Sequence, residues 1–329
     1  MIKKFWVATL DWLDSDYDKT TEVDYSNGDR KVQWIRCLPF LAVHLTCFLA
    51  FWVGVSPIAL FFAGLFYFVR MFAITGVYHR YFSHTTYKTS RFFQFLLAVL
   101  GATTVQRGAL WWASHHRHHH LYSDTAQDVH SPRRSGFWWS HIGWIMNKSN
   151  FPTDYKRIPD FAKYPELVFL NRFDLLVPVL FAVSTFVLGS ALQRWAPSLG
   201  TSGGQMLIWA FFISTVALFH GTFTINSLSH LIGRVRFDTG DDSKNSWFLA
   251  IITMGEGWHN NHHYYQASAR QGFYWWEYDV TYYILKIFSW MGLVWDLRPV
   301  PQRILDNAHK FGLRSESAPL ATSKVAELL

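Results

Sequence analysis

The sequence predicts an all-α integral membrane protein whose four transmembrane helices form two hairpins. Of the 329 residues, 50% are hydrophobic and 19% are aromatic, and aromatic rings gather where a protein meets both hydrocarbon and water. Four apolar segments come close to the roughly 20 residues that a spanning helix needs, and they cover residues 38–55, 57–77, 175–192 and 206–228. Short turns join the first segment to the second and the third to the fourth, so the spans pair as hairpins.

The positions of Lys and Arg predict how this bundle is oriented. The chain has a net charge of +7, but the two hairpin turns contain almost none of its basic residues. Because cytoplasmic loops collect Lys and Arg, both termini and the segment between the hairpins are expected in the cytoplasm, at the inner membrane if the source is bacterial. The basic residues are scattered among apolar segments, which indicates membrane lipid as a partner and not nucleic acid.

Histidine is the most informative residue type, because most of the 16 His residues fall into short clusters. The clusters are His79–His84, His115–His120 and His259–His263. Side chains three or four residues apart share one face of a helix, and two trios have this spacing: His116, His119 and His120, and His259, His262 and His263. Imidazole is a good ligand for iron, zinc, copper and nickel, so the clusters predict a metal centre.

Two further spacings extend this prediction. His79 and His84 are five residues apart and would diverge in a regular helix, so the helix is expected to end or distort between them. Asn226 and His230 are four residues apart at the cytoplasmic end of the fourth span and face the same way. His230 is therefore a candidate for an additional ligand.

Two apolar stretches, Phe92–Trp112 and Phe273–Trp295, are predicted to lie along the membrane surface. Both contain polar or charged residues, which are costly at mid-bilayer. If the first stretch crossed the membrane, the His clusters on either side of it could not share a site. The chain is accordingly predicted to be one domain over residues 1–329, with a helical cytosolic cap over 79–172 and 230–310 and a disordered tail at 312–329.

Not every histidine is expected to bind a metal. Four that stand alone in the sequence are expected to pack or to lie at the surface: His44, His141, His220 and His309. A metal transporter is a different class of function, but transport sites usually lie at mid-membrane in broken helices. The clusters here lie outside the predicted spans, which argues against transport.

The clusters closely resemble the histidine boxes of the membrane fatty-acid desaturases, in particular the acyl-CoA (stearoyl-CoA) delta-9 branch. The resemblance rests on HRYFSH (79–84), HRHHH (116–120), NSLSH (226–230) and GEGWHNNHH (255–263), and on SDTAQD (123–128) and RRSGFWWSHIGW (133–144). It covers the chain from the first span to about Pro299. Departures from the family pattern lie near the second box, at Ser114, His115, His118 and Ser135.

The resemblance implies a di-iron centre in the cytosolic cap, with O₂ as co-substrate. Its implied iron ligands are His79, His84, His116, His119, His120, His230, His259, His262 and His263, with Asn226 holding a metal-bound water. No catalytic residue beyond the metal ligands is implied. Gln106, Thr222 and Phe223 fall where the family lines its bent acyl tunnel.

The predicted reaction is the introduction of a cis double bond, at delta-9, into a saturated acyl-CoA. Arg133 and Arg134 could meet the phosphates of CoA through charge-assisted hydrogen bonds. The changes at Ser114 and His115 leave open an acyl chain esterified in a phospholipid, and a hydroxylase on the same scaffold is a further alternative. Two Cys residues are too few for an iron–sulfur cluster, so electrons are expected from a separate donor such as ferredoxin, rubredoxin or cytochrome b5 with its reductase.

Overall fold

The computed structural model describes residues 2–17, 23–25 and 30–311, and helices dominate it. The predicted tail at 312–329 lies outside these residues. The α-helices are α1 (Ile2–Leu13), α2 (Leu38–Thr46), α3 (Ala50–Val53), α4 (Pro57–Phe72), α5 (Arg91–Ala102), α6 (Ala109–Tyr122), α7 (Pro132–Ser135), α8 (Phe137–His141), α9 (Pro159–Ala162), α10 (Pro165–Arg172), α11 (Leu176–Trp195), α12 (Gly203–Met206), α13 (Ser214–Ser227), α14 (Trp247–Ile252), α15 (His259–Tyr264), α16 (Val280–Trp290) and α17 (Gln302–Phe311). Two short strands, β1 (Lys88–Thr89) and β2 (Val294–Trp295), pair antiparallel.

Helical turns of other types complete these elements. π-helices follow α4 at Ala73–Ser83 and α12 at Leu207–Ile213. Short 3₁₀ turns lie at Cys47–Leu49, Gly143–Met146, Lys148–Asn150, Tyr155–Arg157, Pro197–Leu199 and Leu228–His230.

Among the described residues, three continuous helices are long and apolar enough to cross a membrane: Pro57–Ser83, Leu176–Trp195 and Gly203–His230. They correspond to the second, third and fourth predicted spans. The first predicted span forms the apolar helix Leu38–Val53, which is shorter than the other three and ends at Gly54, whose φ of +69° suits glycine. Four full-length spans therefore remain a prediction, as does the orientation of the termini.

The two stretches predicted to be interfacial are each broken in the structure. Phe92–Trp112 divides into α5 and the start of α6, with a turn between them at residues 103–108. In Phe273–Trp295 only α16 is helical before the chain enters β2. Along α16, Tyr283, Ile287 and Trp290 are exposed, three and four residues apart, so α16 has one apolar outer face. Its placement at a membrane surface stays a prediction.

The predicted distortion between His79 and His84 is confirmed. The backbone N–H of His84 donates to the carbonyl oxygen of His79 at 3.2 Å, five residues back, as in a π-helix. This wider turn places side chains five residues apart on nearly the same face. The two histidines can therefore point to one site.

Arg70 lies in the middle of the Pro57–Ser83 helix and is buried. A charge at this depth is costly unless the protein surrounds it with polar groups. Its guanidinium donates four hydrogen bonds to uncharged oxygens: Phe66 O at 3.1 Å, Thr103 O at 3.3 Å, Thr215 Oγ1 at 2.7 Å and Ser214 Oγ at 2.7 Å. These bonds tie the helix to α13 and to the turn that follows α5.

Candidate metal centre

Nine imidazoles converge beside the ends of the helices Pro57–Ser83 and Gly203–His230, and they form two groups. Within each group the nitrogen atoms that could bind a metal lie within 4.8 Å of one another. The first group contains His79, His84, His116, His120 and His262, and the second contains His119, His230, His259 and His263. The structure thus brings together all nine histidines that the sequence proposed as ligands.

The π-helix and α6 supply most of the first group. His79 and His84 project from the π-helix towards α6, where the Nε2 atoms of His84 and His116 are 3.0 Å apart. His116 and His120 are four residues apart on α6 and join the same group. His119 precedes His120 by one position, which rotates it by about 100°, and it belongs to the second group.

α15 divides in the same way. His259 and His263 are four residues apart and belong to the second group, with His259 Nε2 3.1 Å from His230 Nε2. His262 lies between them in sequence and points to the first group. The sequence trios are therefore split between two sites, and the i, i+4 pairs stay together.

The spacing of the ring nitrogens in the first group fits a metal ion at its centre. Neighbouring Nε2 atoms are separated by 2.9 Å (His79–His262), 3.0 Å (His262–His120), 2.9 Å (His120–His116) and 3.0 Å (His116–His84). Two imidazole nitrogens that bind one metal at a right angle, each roughly 2.1 Å from it, lie about 3.0 Å apart. Imidazole nitrogens at these distances present converging lone pairs, which a cation would satisfy.

Four carboxylates stand behind the histidines and fix which ring nitrogen faces the site. Asp124 is hydrogen-bonded to His230 Nδ1 at 2.8 Å and Asp241 to His263 Nδ1 at 2.6 Å, while Glu256 and Asp128 lie within ion-pair distance of the Nδ1 atoms of His79 and His119, the latter at 3.2 Å. Such carboxylate–histidine pairs orient metal ligands and raise their basicity. On the far side of the last pair, His263 Nε2 is buried without a hydrogen-bond partner in the described part of the chain, as expected of a metal ligand.

The electrostatics keep four imidazoles of the first group neutral. Burial, and then repulsion between the imidazoles, holds the pKa values of His84, His116, His120 and His262 well below 6.5. Deprotonated imidazole is the form that binds a metal. Burial alone would raise the pKa of Asp124, but the hydrogen bond from His230 lowers it to about 2, so this carboxylate remains charged.

A cavity of about 400 Å³ reaches His116 of the first histidine group. Its inner end is lined by Gln106, Trp112, His116, Thr222 and Asn226, and much of its remaining wall is aromatic or aliphatic. A smaller cavity of about 30 Å³ continues past the histidines and is bounded by Met71, Ile74 and Ile225. Asn226 lines both cavities, next to the two histidine groups.

Comparison with known proteins decides the family. The sequence profile described as fatty acid desaturase matches residues 50–288, most of the chain. The chain belongs to the fatty acid desaturase family.

Relatives of this desaturase differ in the acyl donor that their names state. The chain is 33% identical over 275 residues to an sn-1 stearoyl-lipid 9-desaturase of Anabaena variabilis, covering 82% of this chain and 94% of the relative. It is 32% identical over 313 residues to an acyl-CoA 5-desaturase of Anemone leveillei, covering 89% and 90%. It is 34% identical over 272 residues to an sn-2 palmitoyl-lipid 9-desaturase of Nostoc, covering 80% and 89%.

The three residues predicted to line an acyl tunnel all line the larger cavity. Gln106 Nε2 donates to Thr222 Oγ1 at 3.0 Å across the inner end, and Phe223 lies one residue further along α13. Gln106 sits in a turn in which Val105 and Arg107 have φ values of +61° and +68°. Such backbone is strained in residues other than glycine and is held only where the surroundings enforce it.

Arg133 and Arg134 lie away from this cavity. Arg133 Nη1 is 3.2 Å from Asp242 Oδ2, and Arg134 Nε donates to the carbonyl oxygen of Asp124 at 2.7 Å. Both side chains are thus engaged by the loops that carry the carboxylates. Their role in binding CoA stays a prediction.

Sequence reasoning missed the carboxylates and one buried histidine. His130 packs on His119 with ring centroids 4.4 Å apart, lines both cavities, and lies 3.7 Å from Asp128. His119, Asp128 and His130 together form a third group of potential ligands. The signal available was the quoted SDTAQD segment, which ends two residues before His130.

Three of the four histidines that stand alone in the sequence pack together in the structure. His141 Nε2 lies 3.1 Å from His220 Nδ1, and the ring of His44 stands edge-on to that of His220. His141 is further fixed by Ser227 Oγ at 2.9 Å. This agrees with a packing role, while the side chain of His309 lies outside the described residues.

Proposed function

We propose that this desaturase uses O₂, two iron ions and electrons from a separate protein to introduce a cis double bond, at delta-9, into a saturated fatty acyl chain. The observation that carries the proposal is the meeting of a mainly apolar cavity with two groups of converging imidazoles. The family membership supports the reaction type.

The donor set fits iron. Five histidines would hold one ion and four the other, and Asn226, which lines the small cavity beside them, would hold a water. Iron, when bound, supplies the O₂ activation that removal of hydrogen from an unactivated methylene requires. Zinc would accept the same nitrogen ligands but has no redox chemistry.

The chain's own residues bind and orient the substrate. The Gln106–Thr222 hydrogen bond closes the inner end of the large cavity and would fix where an acyl chain bends, and hence which methylenes approach the histidines. Phe219 and Phe223 stack with ring centroids 5.7 Å apart and give the cavity an apolar wall that excludes water. The buried carboxylates keep the imidazoles in the ligand tautomer.

The acyl donor has two candidates. Acyl-CoA is supported by the resemblance to the acyl-CoA branch and by the relative from Anemone leveillei. A lipid-linked acyl chain is favoured by the pairing of Arg133 with Asp242, which leaves the expected phosphate contact already engaged, and by the names of the Anabaena variabilis and Nostoc relatives.

The decisive experiment is expression in a host that lacks delta-9 desaturation, followed by profiling of acyl-CoA and lipid acyl chains. The expected product contains a double bond at delta-9, and its formation should require O₂. Accumulation of an alcohol would indicate the hydroxylase alternative. Metal movement across vesicles without acyl oxidation would indicate a transporter.

A further inference from the structure

The large cavity continues as a cleft between α2 and α11. One side is lined by Phe40 and Val43 of α2, the other by Val179 and Ala182 of α11, and the back by Phe219 of α13. Phe219 is 3% exposed, whereas Val179 is 56% exposed. The cavity thus reaches the outer surface of the helices at a level where that surface is apolar.

The cleft extends far along the axis of the long helix Gly203–His230. Phe211, which lines its far end, and Asn226, at the histidines, are on the same continuous helix, Gly203–His230. Fifteen residues of helix correspond to about 22 Å, a large part of the roughly 30 Å hydrocarbon core of a bilayer. The cleft therefore opens toward lipid and is not confined to the cytosolic cap.

The cavity wall beside the first residues of α2 and α11 carries charged side chains whose positive and negative charges balance. Arg36 Nη1 is 3.0 Å from Asp11 Oδ2, and Arg107 Nε is 2.6 Å from Asp174 Oδ2. All four residues line the cavity, beside the first residues of α2 and α11. Two cations paired with two carboxylates offer little net attraction to the several phosphates of CoA, but they tolerate a neutral or zwitterionic ester group.

We infer that the acyl chain of a membrane glycerolipid enters sideways through the cleft between α2 and α11 while it is still esterified to the lipid. Its ester end then lies at the paired charges and its hydrocarbon lies along Phe219 towards the histidines. This inference rests on the proposed function and specifies its donor.

The first test is photolabelling of the full chain, free of metal, in nanodiscs that contain phosphatidylcholine with a diazirine in its acyl chain. Labelling is expected at Phe219, which surrounding lipid cannot reach, as well as at Val187, which is 57% exposed and serves as the reference for surrounding lipid. A parallel sample receives a diazirine acyl-CoA.

The second test blocks the cleft. Ala182→Trp fills it, and Val183→Trp is the matched control, because Val183 is the next residue on α11, is exposed and does not line the cavity. Ala182→Trp is expected to lower both the labelling of Phe219 and the desaturation of lipid-linked chains by roughly ten-fold to a hundred-fold relative to Val183→Trp. Thermal unfolding of both variants checks that the fold is kept.

Labelling of Phe219 by acyl-CoA alone, or equal behaviour of the two Trp variants, would overturn the sideways route. Failure of the proposed function is a separate outcome. It would appear as no double bond from either donor, while the labelling experiment still decides whether lipid occupies the cleft.

Discussion

Replacing Asp241 by Asn measures how far the second histidine group depends on the carboxylates behind it. Asp241 Oδ2 is 2.6 Å from His263 Nδ1, while its Oδ1 accepts from Thr239 Oγ1 at 2.7 Å and from the backbone N–H of Ser243 at 3.0 Å. Asn keeps an oxygen for the latter two bonds, but it turns an amide NH₂, which is a donor, towards His263 in place of the charged acceptor oxygen. The loop should therefore hold its conformation while the imidazole becomes a weaker ligand.

Loss of such a partner typically weakens metal binding 10- to 100-fold, which corresponds to about 1.4 to 2.7 kcal/mol. In a titration of iron-loaded protein with a competing chelator, Asp241→Asn should release one of its two irons at a lower chelator concentration than the unaltered protein does. The other iron, at the five-histidine group, should be released at the same chelator concentration in both proteins. Asp242→Asn is the matched control, because Asp242 pairs with Arg133 at the surface and such pairs contribute little. Equal iron retention in the two variants would refute the role given to Asp241.

The remaining predictions concern the metal, the topology and the cavity. His262→Ala should abolish desaturation and lower the iron content below two per chain, because His262 Nε2 lies within 3.0 Å of two other ligand nitrogens. The control His118→Ala removes only a hydrogen bond to Gln127 O and should keep both irons. Full activity of His262→Ala would exclude His262 from the site. A tag after Gly200 should be labelled from outside intact cells and a tag after Arg91 should not, and outside labelling after Arg91 would contradict the shared site. Phe223→Ala should change the chain-length or double-bond pattern of the products, since the ring forms cavity wall; a uniform loss of activity with an unchanged pattern would indicate packing only.

Helical spacing indicated which histidines within a cluster share a helix face, and the resemblance to the desaturase family implied the set of nine ligands. The five-residue gap between His79 and His84 even indicated a distorted helix, which the π-helix confirms. The division into two groups could not be predicted, because it depends on how α6 and α15 cross. A trio such as His116, His119 and His120 covers more than one direction around a helix, and only the crossing shows which direction meets which site.

The carboxylates were beyond sequence reasoning for a different reason. Asp241 is 22 residues from His263, and Asp124 is 106 residues from His230. Both acidic residues lie in irregular loops, where no periodicity relates position to direction. Likewise the cleft between α2 and α11 arises from a gap between helices, and each helix taken alone gives only an apolar pattern.

Arg70 links two long helices that are made at well-separated times during synthesis. Two of its hydrogen-bond partners, Ser214 and Thr215, are 144 and 145 residues further along the chain, a stretch that a ribosome makes in roughly 7 to 30 s. Until then the helix carries an arginine whose insertion near the bilayer centre costs about 2.5 to 3.5 kcal/mol. The buried arginine therefore favours joint packing of Pro57–Ser83 and Gly203–His230, the two long helices that carry His79 and His230.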